Sequence, residues 1–231
     1  MESMDRRRKF LKSDMWTEWQ ELETDQKKKM PPLPTQKPYP EGAALLDLVA
    51  PADITVGRTP LFDVIERRRS RRKYGEEEAL TLEELSFLLW ATQGLQKVFP
   101  GRQASFRTVP SGGGRHPFET YLLINRVTGI EPGLYRYLPV EHKLYLEYAD
   151  PELTERVHEA SFGQYVTQSA VTFAWTVIPY RAEWRYSIMS HKVIAIDAGH
   201  LCQNLYLASE AIGAGTCAIA AYDQHKLDQA L

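Results

Sequence analysis

The stretch RTVPSGGGRHPFETYLLI, residues 107–124, sets three consecutive glycines, fenced by Pro110, Ser111, His116 and Pro117, directly before a run of strand-forming residues. Glycine loses the most conformational freedom on folding and offers no side chain, so a run of three needs a reason. Two reasons are open: a flexible loop, or a backbone that a flat, anionic cofactor ring approaches more closely than Cβ atoms would permit. Upstream, Arg68, Arg69, Ser70, Arg71, Arg72, Lys73 and Tyr74 concentrate cationic donors in one short segment, as a phosphate requires.

Working outward, the spacing predicts a helix over 81–93: Thr81 followed by Glu84 is a capping box, Leu82, Leu85, Leu88 and Leu89 share a face, and Gly94 supplies the stop. Shorter helices are expected over 62–69 and 152–160. Residues 120–125, 133–137, 143–148 and 170–178 carry β-branched and aromatic residues between Pro/Gly punctuation, the pattern of strands and a hairpin. The longest signal covers 190–212, where Ile194, Ala198, Leu201, Leu205, Ala208 and Ile212 step by four and three. Val193, Ile196, Cys202 and Tyr206 widen that face until the helix is apolar around much of its circumference, as in a helix buried in the protein or in a subunit interface.

Asp197, His200 and Asn204 form the remaining stripe of that helix. A metal site is conceivable there, but one His and one carboxylate are too few, and a hydrogen-bonded structural network is favoured. Gly213 and Gly215 end the helix, and 216–221 reads as a buried strand. Helices and strands mix without a βαβ rhythm, and no G-x-G-x-x-G follows a strand, so the fold class is α+β rather than dinucleotide-binding, with a central mixed or antiparallel sheet flanked by helices.

The 231 residues are 43% hydrophobic and 25% charged, with a formal net charge of -2 and a pI of about 6.3. That balance argues against wrapping a nucleic acid; the Arg run is local. Cys202 and Cys217 have no CxxC spacing, so neither a disulfide scaffold nor a zinc site is indicated. No apolar stretch approaches the ~20 residues of a spanning helix, and the N-terminus is too polar for a signal peptide, so a cytoplasmic location and no membrane partner are expected. Residues 1–50 read as an N-terminal arm, partly extended, since Pro31, Pro32, Pro34, Pro38 and Pro40 forbid regular helix or central strand. Residues 51–231 read as the cofactor-binding domain.

With these pieces in order, the chain resembles the nitroreductase superfamily of flavin enzymes, and within it the SagB-type dehydrogenases of thiazole/oxazole-forming systems. The matching stretches are RRSRRKYGEEEALTLEELSFLLWATQG (68–94), RTVPSGGGRHPFETYLLI (107–124), PGLYRYLPVEHKL (132–144) and DAGHLCQNLYLASEAIGAGTCAIAAYD (197–223). Four ordered motifs are more specific than any one alone. The resemblance implies a nitroreductase-like fold in an intertwined homodimer, with FMN between the subunits and the helix around His200 in the interface. It implies FMN contacts from Arg68, Arg69, Ser70 and Arg72 toward the phosphate. It also places Pro110, Ser111, Gly112 and Gly113 beside the flavin, and the backbone of Gly215, Thr216, Cys217 and Ala218 against the ring. Cys217 is then a packing residue, since no adjacent base is evident.

Azoline dehydrogenases of this type resemble one another in a Lys-Tyr pair that handles the substrate proton; here the pair is Arg185 and Tyr186, with His191 in reserve. Arginine stays protonated at any accessible pH and cannot act as a base, though it can orient a carboxylate or stabilise an anion. Tyr186 remains a candidate acid or base. The resemblance also implies a further strand and a basic phosphate ligand beyond the D-x-x-x-L region, where these residues stop at Leu231. The expectation is an FMN-dependent oxidoreductase acting on a small-molecule or peptide substrate, with NAD(P)H as a candidate visiting donor. The alternative is a non-catalytic descendant that binds flavin or peptide within a peptide-modification complex.

Overall fold

Every residue from Phe118 to Ile124 is buried, because both faces of this strand are covered. In the computed structural model, which describes residues 4–75, 77–99 and 104–231, the strands are β1 (Leu45–Asp47), β2 (Leu95–Phe99), β3 (Ala104–Arg107), β4 (Phe118–Ile124), β5 (Gly133–Leu138), β6 (Lys143–Tyr148) and β7 (Val171–Val177). The helices are α1 (Met4–Arg8), α2 (Leu61–Arg67), α3 (Leu82–Gln93), α4 (Leu153–Ala160), α5 (Tyr180–Tyr186), α6 (Ser190–Ala211) and α7 (Gln224–Ala230). Five strands form one antiparallel sheet in the order β1-β6-β5-β4-β7. Leu122 and Ile124 point to the face packed against Leu85 and Leu89 of α3. Tyr121 and Leu123 point to the other face, with Leu153 and Val157 of α4 and Ala230 of α7. The result is the α+β layering that the sequence indicates, with α6 packed beside α3 through Leu88, Leu205 and Ala208.

α3 begins with the expected capping box: Glu84 N donates to Thr81 Oγ1 at 3.2 Å, and Thr81 N donates to Glu84 Oε2 at 2.8 Å. It stops at Gly94 as expected, without a left-handed backbone there. Gly94 has φ −57°, and a Cβ there would lie 2.4 Å from Trp90 Cδ1, so close approach rather than handedness requires glycine. α6 does end in a left-handed glycine, Gly213 with φ +77°, and Ala214 N donates back to Ser209 O at 2.9 Å.

Two features depart from the sequence reading. β2 and β3 form a separate antiparallel hairpin that the residue pattern did not single out; its connection lies outside the described residues. The expected strand over 216–221 is replaced by a single parallel bridge, Ser70 to Thr216, and residues 218 and 220–222 are exposed. Among the described residues no second strand flanks this segment, and its Ala218 N–H is taken by the Tyr206 hydroxyl at 2.8 Å instead of by a ladder. The polar stripe of α6 does form the hydrogen-bonded network that the sequence favours: Asp197 is buried and accepts from Ser111 and Gly112, and Asn204 Nδ2 donates to Ala91 O at 2.8 Å, while Ala195, Ile196, Gly199 and Gln203 face outward.

The Pro-rich stretch runs extended over the surface, and buried arginines hold it. Arg181 Nε donates to Pro34 O at 2.9 Å, Arg107 Nη2 to Thr35 O at 2.8 Å, and Arg136 Nη1 and Nη2 to Lys37 O and Pro38 O at 3.0 Å each. Prolines bring carbonyls without N–H groups, so donors must come from side chains. Arg181 pairs with Glu119, both almost fully buried, and Arg136 sits 2.7 Å from Glu147. Lys37 N also donates to Glu119 at 2.9 Å. Removing one partner of such a pair leaves an uncompensated buried charge, so Glu119→Ala should lower unfolding free energy by about 3–5 kcal/mol in denaturant titration. A loss under about 1 kcal/mol would mean that water reaches the pair.

Candidate functional site

The cationic segment leaves α2 at Arg68 and crosses the chain that follows α6. Arg71 N donates to Thr216 O at 3.0 Å, and a Cβ on Gly215 would sit 2.9 Å from Arg71 Cβ, so glycine permits the crossing. The hydroxyl of Tyr206 bonds both strands of the crossing: it lies 3.0 Å from Ser70 Oγ and accepts from Ala218 N. The Arg68 guanidinium lies over the Tyr206 ring, 5.4 Å from its centroid. Among the described residues, Arg67 pairs with Asp63 at 3.2 Å and Arg71 with Glu210 at 2.9 Å. Arg68, Arg69 and Arg72 have no carboxylate partner there; Arg69 donates to Glu66 O and Arg68 O, and Arg72 to Ser70 O. Three guanidiniums without counter-charge beside a pinned backbone crossing fit a dianionic phosphate in donor type and charge.

The glycine turn is held from the other side. Ser111 Oγ donates to Asp197 Oδ2 at 2.6 Å, Gly112 N donates to Asp197 Oδ1 at 3.1 Å, and His116 N donates to Ser111 Oγ at 2.9 Å. Burial raises the Asp197 pKa, and the bonds from Ser111 and Gly112 oppose that rise. Gly113 and Gly114 take left-handed φ values of +60° and +63°. The space where Cβ atoms would stand is filled by protein: 2.2 Å from Val193 Cγ1 at Gly112, and 2.6 Å from Arg185 Cδ and 2.8 Å from the Tyr186 hydroxyl at Gly113. Within one chain the glycines therefore admit α5 and α6, which differs from the expectation of a ring lying on bare peptide.

Arg185 and Tyr186 thus stand against the turn. Arg185 Nη1 donates to Gln26 Oε1 at 3.0 Å, and the Tyr186 ring meets Trp16 and Trp19 at centroid distances of 6.0 and 5.5 Å. His191, the reserve candidate, is exposed and lies 3.8 Å from Glu183. Cys217 donates weakly to Ala218 O at 3.6 Å.

The structure gathers Arg68, Ser70 and residues 215–218 at Tyr206, and gathers Pro110–Gly113, Arg185 and Tyr186 near Asp197. It does not bring the two groups together in one chain. Asp197 and Tyr206 are nine residues apart on α6, which is about 13 Å of rise and about half a turn around the axis. Sequence reasoning missed Gln26, Trp16, Trp19 and Glu210. Their partners are 139–170 positions away in the chain, as Arg71–Glu210 and Trp16–Tyr186 illustrate, so periodicity carried no signal for them. Tyr206 was read as part of an apolar face, although its hydroxyl is what the site uses.

Comparison with known proteins agrees with this architecture. The model of the nitroreductase family matches residues 65–231, and the chain belongs to that family. A Methanocaldococcus jannaschii protein bearing the nitroreductase name, MJ1384, is 31% identical over 172 residues, covering 74% of this chain and 83% of its own length. The trifolitoxin-processing protein TfxB of Rhizobium leguminosarum bv. trifolii is 34% identical over 113 residues, 46% of this chain and 30% of that protein. Among solved structures, a chain from Anabaena variabilis given the nitroreductase name aligns at 27% identity and TM-score 0.61 over 74% of this chain. This chain spans about a third (34%) of the Anabaena chain. A chain of the same designation from Ralstonia eutropha aligns at 24% identity and TM-score 0.64, covering 87% of this chain and 90% of that one, which shows the shared fold. Family membership places the chain among oxidoreductases. Among the described residues no helix is long and apolar enough to cross a membrane.

His116, at the end of the turn with φ +44°, sets a pH dependence. Burial first and the Arg107 guanidinium next push its pKa down to about 3, while its ring lies 3.0 Å from Ser105 O. The unfolded histidine titrates near 6.5, so below that pH the unfolded chain binds a proton that the native state excludes. Stabilisation is complete above pH ~6.5 and is lost progressively toward pH ~3. Denaturant unfolding should lose about 2 kcal/mol from this group between pH 8 and pH 5. His116→Asn, which tolerates the left-handed backbone, should remove most of that slope. An equal slope in both proteins would place the effect elsewhere.

Proposed function

We propose that this chain is an FMN-dependent oxidoreductase of the SagB dehydrogenase type. The observation that carries the reading is the division of labour in the Arg run. Arg67 and Arg71 are neutralised by Asp63 and Glu210, whereas Arg68, Arg69 and Arg72 lack carboxylate partners among the described residues and adjoin the Ser70–Thr216 crossing. These are the residues to which the motif resemblance assigns the phosphate. The bound cofactor supplies two-electron exchange between a donor and an acceptor, and the protein supplies position and electrostatics. Arg68, Arg69 and Arg72 would hold the phosphate, the Thr216–Ala218 backbone would face the ring, and Tyr206 fixes that backbone through Ala218.

The opposed placement of the two residue groups on α6 supports a site completed by a second copy of the chain. The outward face of α6, with Ala195, Ile196 and Gly199 and with Ile196 52% exposed, is small and apolar enough to pack on its own image. In that arrangement Pro110–Gly113 of the partner would approach the ring beside Thr216–Ala218. A peptide substrate accords with the names of two similar proteins, the trifolitoxin-processing TfxB and an E. coli microcin synthetase complex, McbBCD, solved with truncated pro-MccB17 bound. A reducible small molecule accords with the nitroreductase name, with NAD(P)H as donor.

Purified protein supplied with FMN should show a flavin spectrum that bleaches when a nicotinamide donor is added without oxygen. A spectrum that stays oxidised with every donor tried would favour a flavin-binding descendant without turnover, and no retention of FMN would refute both. Two charge-assisted phosphate contacts contribute roughly 1.5–3 kcal/mol each. Arg68→Ala with Arg72→Ala should therefore weaken FMN binding about a hundredfold or more, measured by fluorescence titration. Arg71→Ala, which breaks only the Glu210 pair, should change it far less.

A further inference from the structure

Arg185 is a guanidinium without a carboxylate partner among the described residues. Among the described residues it forms no ion pair: Nη1 donates to the neutral Gln26 side chain at 3.0 Å, and Nε is buried without a hydrogen-bond partner. Carboxylates carried by the segments around it are committed elsewhere. Asp197 is bound by Ser111 and Gly112, Asp25 accepts from Tyr180 at 2.7 Å, and Glu183 faces His191. A second guanidinium lies within electrostatic reach, since burial and then Arg185 lower the pKa of Arg115. A half-buried cation with a donor left unpaired favours an incoming anion.

Aromatic groups stand beside the guanidinium. Arg185 Nε and the Tyr186 hydroxyl stand 2.7 and 2.8 Å from the point where a Cβ of Gly113 would be, so both groups border the glycine turn. Beyond the phenol ring lie the indoles of Trp16 and Trp19, themselves 5.4 Å apart, forming a three-ring aromatic cluster. Such rings accept a flat, apolar body at their faces and edges. Gln26 Oε1 presents one sp² oxygen to Arg185, the same kind of acceptor as a carboxylate oxygen but without charge. A carboxylate can engage the guanidinium with two parallel bonds, each stronger than the neutral one it replaces.

We propose that Arg185 is a specificity residue that anchors a carboxylate on a planar substrate, with Tyr186, Trp16 and Trp19 packing the substrate's body and Gln26 holding the anion's place until it arrives. The substrate class is an aromatic or heteroaromatic monocarboxylate. The proposal rests on the cofactor reading only for why a substrate comes to this turn; the binding step itself needs no cofactor. A lysine at 185 would offer a point charge, whereas the planar fork of arginine selects the two oxygens of a carboxylate.

The test titrates the full chain, with and without FMN, with 4-nitrobenzoate and with its neutral counterpart 4-nitrobenzamide, reading quenching of tryptophan fluorescence. The benzoate is expected to bind about tenfold or more tightly than the amide, and to weaken as salt rises. Arg185→Gln should bring the two probes to equal affinity, and Arg185→Lys should restore part of the preference. Gln26→Ala leaves Arg185 in place and removes the placeholder, so it should tighten benzoate several-fold and leave benzamide unchanged. That variant keeps the test decisive should Arg185→Gln fail to fold. Equal affinity of both probes for the wild-type chain, a preference that survives in Arg185→Gln, or no response to Gln26→Ala would each overturn the proposal. Failure of FMN to bind would leave the carboxylate preference of the cofactor-free chain measurable; FMN binding without that preference would sink this proposal alone.

Discussion

The carboxylate of Asp197 is the fastening on which the site depends. It is buried on α6, where an isolated charge is costly, and both of its oxygens are engaged by the glycine turn. Those two bonds set where Pro110–Gly113 lies relative to α6, and α6 in turn carries Tyr206, the hydroxyl that pins Ser70 to Ala218. One helix therefore positions both groups of candidate residues, and its packing on α3 and β7 through Leu205, Ala208 and Phe173 fixes it to the sheet. A polar contact supplies the geometry and an apolar core supplies the stability behind it.

A second constraint comes from unpaired carbonyls. The Pro-rich stretch offers acceptors but few donors, and the protein meets them with arginines drawn from β3, β5 and α5. Each guanidinium needs its own compensation once buried, which Glu119 and Glu147 supply to Arg181 and Arg136 and Gln93 Oε1 supplies to Arg107 at 2.7 Å. The stretch preceding it reaches α5 through Gln26, Met30 and Asp25. In this way Trp16 and Trp19 come to stand against Tyr186 and Gln26 against Arg185.

Much of the fold was legible because its signals are local. The capping box of α3, the period of α6 and the strands on either side of Gly133 are written within windows of a few residues, and the structure reproduces them within one or two positions. The segment after Gly215 was misread because a run of small apolar residues resembles a core strand, while strand formation also needs a neighbour to pair with, and only Ser70 is there. A structural network at Asp197 was legible in the stripe it shares with His200 and Asn204, but its partners, Ser111 and Gly112, lie 86 and 85 positions away and were not. Composition at Trp16, Trp19 and Gln26 gave no hint of contact with residues some 160 positions later.

The Gly215 crossing has no slack. With an absent side chain already within 2.9 Å of Arg71 Cβ, and with Arg71 tied to Glu210 in the last turn of α6, the two backbones cannot slide past one another independently. Cationic donors on one backbone and amide groups on the other behave as a single rigid body keyed to the helix end. Natural variation that alters spacing on either backbone would have to be matched on the other, so this pair of segments should drift through time as one inherited unit.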